Sequence, residues 1–130
     1  MAVTSGKLCP SGWRVPTDDD WKTLEKFLGM TDADANNKTW RGTDQGSQLK
    51  STSGWGSGNG TNTTGFTALP GGFRSYDETC IFLGDDGYWW TASPEGTDMA
   101  WIRGMSTAFP AMYRDIFNQG SGLSVRCIKN

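Results

Sequence analysis

The chain has no histidine, which removes the commonest general base and the commonest metal ligand from consideration. It has no apolar run long enough to span a bilayer, so membrane insertion is not expected. It also has no basic cluster. Twelve Lys and Arg are scattered among fourteen Asp and Glu, the formal charge is -2, and the longest one-sided run is Asp18-Asp19-Asp20. Phosphate backbones need grouped cations, so nucleic acid is not an expected partner. The opening residues lack the charged start and apolar stretch of a signal peptide. Either the protein stays inside the cell or a leader has been removed.

What is present is glycine and tryptophan: eighteen Gly and seven Trp in 130 residues. That length suits one domain, residues 1–130, burying roughly two-thirds of the surface its unfolded chain would expose. The glycines and the scarcity of long helical patterns predict a loop-rich fold. The tryptophans must supply much of a core that a modest aliphatic content does not.

Residues 7–15 read as a short strand broken by a Pro-Ser-Gly turn, with Trp13 and Val15 on one face. Pro16 stops it. Thr17 is an N-cap with Asp20 three positions on, and Asp18, Asp19 and Asp20 complement the dipole of a helix over residues 18–28. Its apolar stripe is Trp21, Leu24, Phe27 and Leu28, with Lys22, Glu25 and Lys26 towards water and Gly29 at its end. Residues 31–41 are polar and predict a surface loop or a weak turn of helix, and residues 43–50 a second short helix carrying Leu49. The Gly, Ser, Thr and Asn of residues 51–64 cannot bury enough to order themselves and predict a long loop pinned at Trp55. Phe66, Leu69 and Phe73 surround a Pro-Gly-Gly turn. Residues 76–83 form a strand ending in a Gly84-Asp85-Asp86-Gly87 hairpin turn. Helices first and strands last give an α+β order.

The last third carries the densest information. Tyr88 to Thr91 and Leu123 to Arg126 have strand character, and from Ala100 the residues Trp101, Arg103 and Met105 alternate with Ile102, Gly104 and Ser106. Residues 107–119 show no period, yet hold Phe109, Met112, Tyr113, Ile116 and Phe117. Such a segment is either folded under into a core or displayed for a partner. Ile116 and Phe117 are adjacent and cannot both point inward from extended backbone, which favours display.

Four stretches, C-P-S-G-W-R-V-P-T, G-F-T-A-L-P-G-G-F-R, G-Y-W-W-T-A-S and G-L-S-V-R-C-I-K, stand in an order that resembles the Fibrobacter succinogenes major paralogous domain over nearly the whole chain. The resemblance implies a C-type-lectin-like fold: one or two helices, antiparallel sheets, adjacent chain ends and long loops that present a ligand surface. It also implies a bacterial protein of Bacteroidetes or Fibrobacter groups, at the cell surface, secreted or on a phage particle. The C-terminal run is similar to the variable region of the target proteins of diversity-generating retroelements. Ala100, Trp101, Arg103, Met105, Met112, Arg114, Gly122 and Ser124 to Cys127 match the fixed frame. Ile102, Gly104, Ser106, Ala108, Phe109, Ala111, Tyr113, Asp115, Ile116, Phe117 and Asn118 fall at the positions that vary and are the implied ligand-binding residues.

The fold would set Cys9 and Cys127 side by side, either as a disulfide or as two buried thiols; Cys80 is expected to be a packed thiol. Calcium-dependent sugar binding is not expected. Ser93-Pro94-Glu95 lacks the paired oxygen ligands, Trp101 is followed by Ile102 and Arg103, and Asp85-Asp86-Gly87 reads as a turn. No metal, cofactor or catalytic residue is assigned, since Cys80 and Cys127 lack the signature of copper-dependent formylglycine-generating relatives. Trp13, Trp21, Trp89 or Trp90, and Trp101 are expected in the core, while Trp40 and Trp55 are open between anchor and contact. The expected function is non-enzymatic binding of a protein or cell-surface ligand, with Phe117→Ala harmless to stability and Trp101→Ala unfolding. The competing class is an adhesive module that binds polysaccharide through exposed Trp40 and Trp55.

Overall fold

A computed structural model describes residues 2–130. A six-stranded, mostly antiparallel sheet dominates it, and helices cover one face. Helix α1 (Asp18–Phe27) starts as the sequence dictates: Thr17 accepts from the Asp20 backbone and the Asp20 carboxylate accepts from the Thr17 backbone, closing a capping box. Two five-residue helices follow, α2 (Asp32–Asn36), where the sequence leaves a loop or a weak turn of helix open, and α3 (Gln45–Leu49). Between them runs β2 (Thr39–Arg41), inside a segment that composition alone reads as loop.

The remaining strands are β3 (Gly71–Arg74), β4 (Cys80–Leu83), β5 (Asp86–Glu95), β6 (Met99–Ser106) and β7 (Phe109–Asn118). Their order across the sheet is β2-β7-β6-β5-β3-β4. β4 pairs with β3, and β3 meets β5 in parallel at Gly72 and Gly87, so the turn at Gly84 does not make the expected hairpin. Residues 107–119 are also corrected: most of them form β7, a ten-residue strand between β2 and β6 whose register with β6 shifts between Gly104 and Ser106. Its period escapes sequence reading because large apolar groups lie on both of its faces.

The chain ends meet. β1 (Trp13–Arg14) pairs with β8 (Ile128–Lys129), and a Cys9–Cys127 disulfide with Cα atoms 5.9 Å apart closes a loop of 118 residues. In the chain-entropy picture that cross-link contributes about 4–5 kcal/mol.

Two apolar clusters sandwich the sheet. Under the helices lie Trp21, Met30, Ala35, Leu49, Trp55, Trp89, Met105 and Met112; on the far face lie Val3, Val15, Tyr88, Trp90, Ala100 and Ile102. Strand β6 is therefore buried on both sides, with Ile102 and Met105 each 0% exposed. Trp55 answers the question its loop left open: it is fully buried and donates its indole N–H to the Ala68 carbonyl at 2.9 Å. Trp13 and Phe27, expected inside, are instead exposed, Phe27 by 86%. Trp101 is half-buried and Cys80 is exposed rather than packed.

An ion-pair cluster joins α1 to the sheet. Glu25, expected to face water, is 0% exposed and takes Arg103 Nε at 2.7 Å and Arg41 Nη2 at 2.6 Å. Asp18 accepts from Arg103 Nη1 at 2.7 Å and from Arg114 Nη2 at 2.8 Å, with Lys22 at 3.1 Å. Burial alone would raise the Asp18 pKa, but Arg114, Arg103 and Lys22 outweigh it and hold the group well below the usual carboxylate range. Burial lowers the Arg41 pKa against the pull of Glu25, and Arg41 Nε and Nη1 have no partner among the described residues.

Candidate functional site

The alternation of β7 divides its residues between two environments. Met112 and Arg114 point under the helices; Met112 is 0% exposed, and Arg114 stacks 3.7 Å from the Trp101 ring centroid while its Nη1 donates to the Asn36 carbonyl at 2.9 Å. Phe109, Ala111, Tyr113, Asp115 and Phe117 share the opposite face. At the outer end of that face the side chains reach solvent: Phe109 is 44% exposed, and Ala111, Tyr113 and Asp115 are half-buried.

β2 completes this surface. Trp40 lies opposite Tyr113 in register, and its ring sits 4.5 Å from Phe109 and 5.2 Å from Tyr113. The three rings form an aromatic strip across two hydrogen-bonded strands. Polar groups edge it: the Tyr113 hydroxyl donates to Asp115 at 3.1 Å, and Lys38 Nζ stands 3.7 Å from the same carboxylate. Burial first, and then the Asp115 charge, push the Tyr113 pKa up to about 12, so its hydroxyl remains a donor at neutral pH.

The start of β7 is held from behind. α3 packs so closely on it that a Cβ at Gly46 would collide with the carbonyls of Ala111 and Pro110. Lys50, 2% exposed, donates Nζ to the carbonyls of Gly58, Ser106 and Phe109 at 2.7, 2.8 and 3.2 Å, and burial lowers its pKa. A buried ammonium thus ties the 51–64 loop to the β6–β7 turn directly behind Phe109.

The sequence-predicted binding residues do not all meet at this surface. Ile102, Gly104 and Ser106 are buried in β6, which corrects their expected display. Gly104 has a packing reason: a Cβ there would stand 2.8 Å from the Tyr88 ring and 3.1 Å from Tyr113 Cβ. Phe117 is half-buried, packed 5.3 Å from Phe73 and 5.6 Å from Tyr88, so it belongs to the far-face cluster rather than to a free surface. Ile116 pairs with Trp101 on the helix side. Ala108 and Asn118 are exposed at the two ends of β7. Phe109, Ala111, Tyr113 and Asp115 remain together, joined by Trp40 and Lys38. Trp40 was legible as an aromatic between Thr39 and Arg41, but its strand was not.

Of the positions that the resemblance reads as frame, Ala100, Arg103, Met105 and Met112 are each 0% exposed and Arg114 is 5% exposed, whereas Trp101 is half-buried and Gly122, Val125 and Arg126 are exposed. No group of three or more His, Cys, Asp or Glu positioned to hold a metal occurs among the described residues. No curated protein and no solved structure matches the chain at a significant level. The family model of the Fibrobacter succinogenes major domain matches residues 1–129, and the chain belongs to that family.

Proposed function

From that membership, we propose that the protein is a non-enzymatic ligand-binding domain of C-type-lectin-like fold. Its outer β2–β7 surface engages a protein or other macromolecular ligand at a cell surface. The observation that carries the reading is the Trp40–Phe109–Tyr113 strip, exposed at Phe109 and backed by ion-paired, disulfide-closed structure. Aromatic groups on stiff strands lose little conformational freedom on binding and are the usual source of affinity at protein contacts. Asp115 and Lys38 at the edge select by hydrogen bonding and charge. What supports the lectin-like reading is the adjacency of the chain ends, the largely antiparallel sheet and the long 51–64 loop. The disulfide suits an oxidising compartment, consistent with a secreted, cell-surface or phage-particle location.

Diversification belongs to the same proposal, now restricted by burial: Ala108, Phe109, Ala111, Asp115 and Asn118 can change without removing a side chain packed on the core, whereas Tyr113 packs in part against the Tyr88 cluster. Sequencing the locus in several isolates tests it. Substitutions gathered at those positions, with Ile102 and Gly104 constant, support diversification; substitutions scattered over the chain overturn it. Binding is tested by quantitative capture from surface extracts with the wild type and with Trp40→Ala/Phe109→Ala. A partner held by the first and lost by the second, at unchanged stability, is the expected result. The polysaccharide reading is weakened because Trp55 is 0% exposed, leaving Trp40 alone of its two contacts. A glycan array on which only Trp40→Ala loses signal would restore it.

A further inference from the structure

A second candidate site lies away from the β7 surface. A cavity of about 590 Å³ opens between α1 and the β1–β8 ribbon, within the roughly 300–1,000 Å³ range of small-ligand sites. Its walls are mainly Trp13, Trp21, Leu24, Phe27, Phe66 and Ile128. Two of these, Trp13 at 46% and Phe27 at 86%, are exposed aromatic groups. Aromatic surface of this extent around a concavity marks a binding site more often than a solvated face.

Charge says what the site takes. Arg126 and Lys129 line the cavity, and neither has a carboxylate partner among the described residues. Arg126 instead lies over the Phe66 ring, 4.0 Å from its centroid. The one acidic residue in the lining, Asp20, is already engaged by both terminal nitrogens of Arg14 and by the backbone and hydroxyl of Thr17. Those contacts, the Arg14 hydrogen bond foremost, hold its pKa well below the usual carboxylate range. The cavity thus joins an apolar floor to two unmatched positive charges.

We propose that this cavity binds a free amphipathic anion, an apolar chain or ring system ending in a single carboxylate. The body displaces water from Trp13, Phe27 and Phe66, and the carboxylate meets Arg126 and Lys129. A planar guanidinium is well suited to take such a group through two nitrogens. None of the lining residues belongs to β2, β6 or β7, so the proposal stands apart from the macromolecular reading.

The test uses decanoate below its micelle concentration and decylammonium, the same chain with the charge reversed, titrated by calorimetry and by tryptophan fluorescence. One decanoate per chain is expected, with decylammonium bound at least about tenfold more weakly. Arg126→Gln/Lys129→Gln, two exposed positions, is expected to raise the decanoate Kd about tenfold at low salt and to remove the preference over decylammonium. Trp13→Ala should weaken both ligands, and Phe109→Ala neither. Equal binding of the two ligands by the wild type, no binding of decanoate, or an unaltered Kd in the double variant would overturn the proposal. So would a concentration-dependent dimer abolished by Phe27→Glu, which would show that a second copy fills the cavity.

Discussion

The two faces of β7 present the same strand to opposite conditions. On one, Met112 and Arg114 are immersed among α1, α2 and β6, and Arg114 spends its guanidinium on Asp18 and on backbone carbonyls. On the other, Phe109 and Tyr113 lie against Trp40 and open to water. The contrast teaches how a ten-residue strand can be rigid and yet permissive. Rigidity comes from charge pairs and thioether packing on one side, so exposed side chains opposite, Phe109 foremost, can change without the backbone moving, whereas Tyr113 and Phe117 pack on the Tyr88 cluster.

That contrast can be broken most forcefully at Arg103. Arg103→Ala leaves buried Glu25 and Asp18 without their shared partner, and a loss of about 3–5 kcal/mol is expected in urea unfolding. Because the cost comes from stranded charge, Arg103→Ala combined with Glu25→Ala should lose less than the sum of the single changes. Reducing the Cys9–Cys127 bond, or replacing both residues by Ser, is expected to cost about 2–5 kcal/mol while leaving the secondary-structure circular dichroism intact at low temperature.

Phe117→Ala should cost about 2 kcal/mol, because the ring packs against Phe73 and Tyr88. This reverses the sequence expectation that Phe117→Ala leaves stability nearly unchanged. Acid sharpens the comparison from the charged side. The folded-state pKa of Asp18 is depressed, so its stabilisation is fully present above the unfolded value of about 3.9 and is lost as pH falls through the folded one. Asp18→Asn should therefore flatten the fall in stability below about pH 4 in thermal melts at graded pH. Phe109→Ala should have the smallest effect on folding, within about 0.5 kcal/mol, while reducing partner capture about tenfold or more. A large stability loss there would place the strip in the core and end its candidacy as a contact surface.

Much of this was readable along the chain. Thr17 followed by Asp20 specifies the start of α1 through local hydrogen bonds, and Trp21 falls at the core position its spacing gives it. A short helix carries Leu49 as expected, and the 51–64 segment is pinned at Trp55, with Lys50 and backbone bonds to residues 47–51 holding it as well. The candidate site was legible only in part. Phe109, Tyr113 and Asp115 were expected on a displayed face and reach it, but Trp40 was not joined to them, and Ile102, Gly104 and Ser106, expected there too, are buried. In each case the missing information was the second layer. Alternation tells which residues share a face, but not whether that face meets water.

The sequence by itself determined what local chemistry controls: the helix cap, the chain's charge and the absence of histidine chemistry. Only the tertiary structure decided which surfaces are covered. Glu25 is a solvent-seeking carboxylate until Arg41 and Arg103, sixteen and seventy-eight residues away, surround it. Ile102 is an alternating strand residue until a second layer closes over β6. Burial depends on chain segments that meet only after folding, and no short-range pattern carries that knowledge.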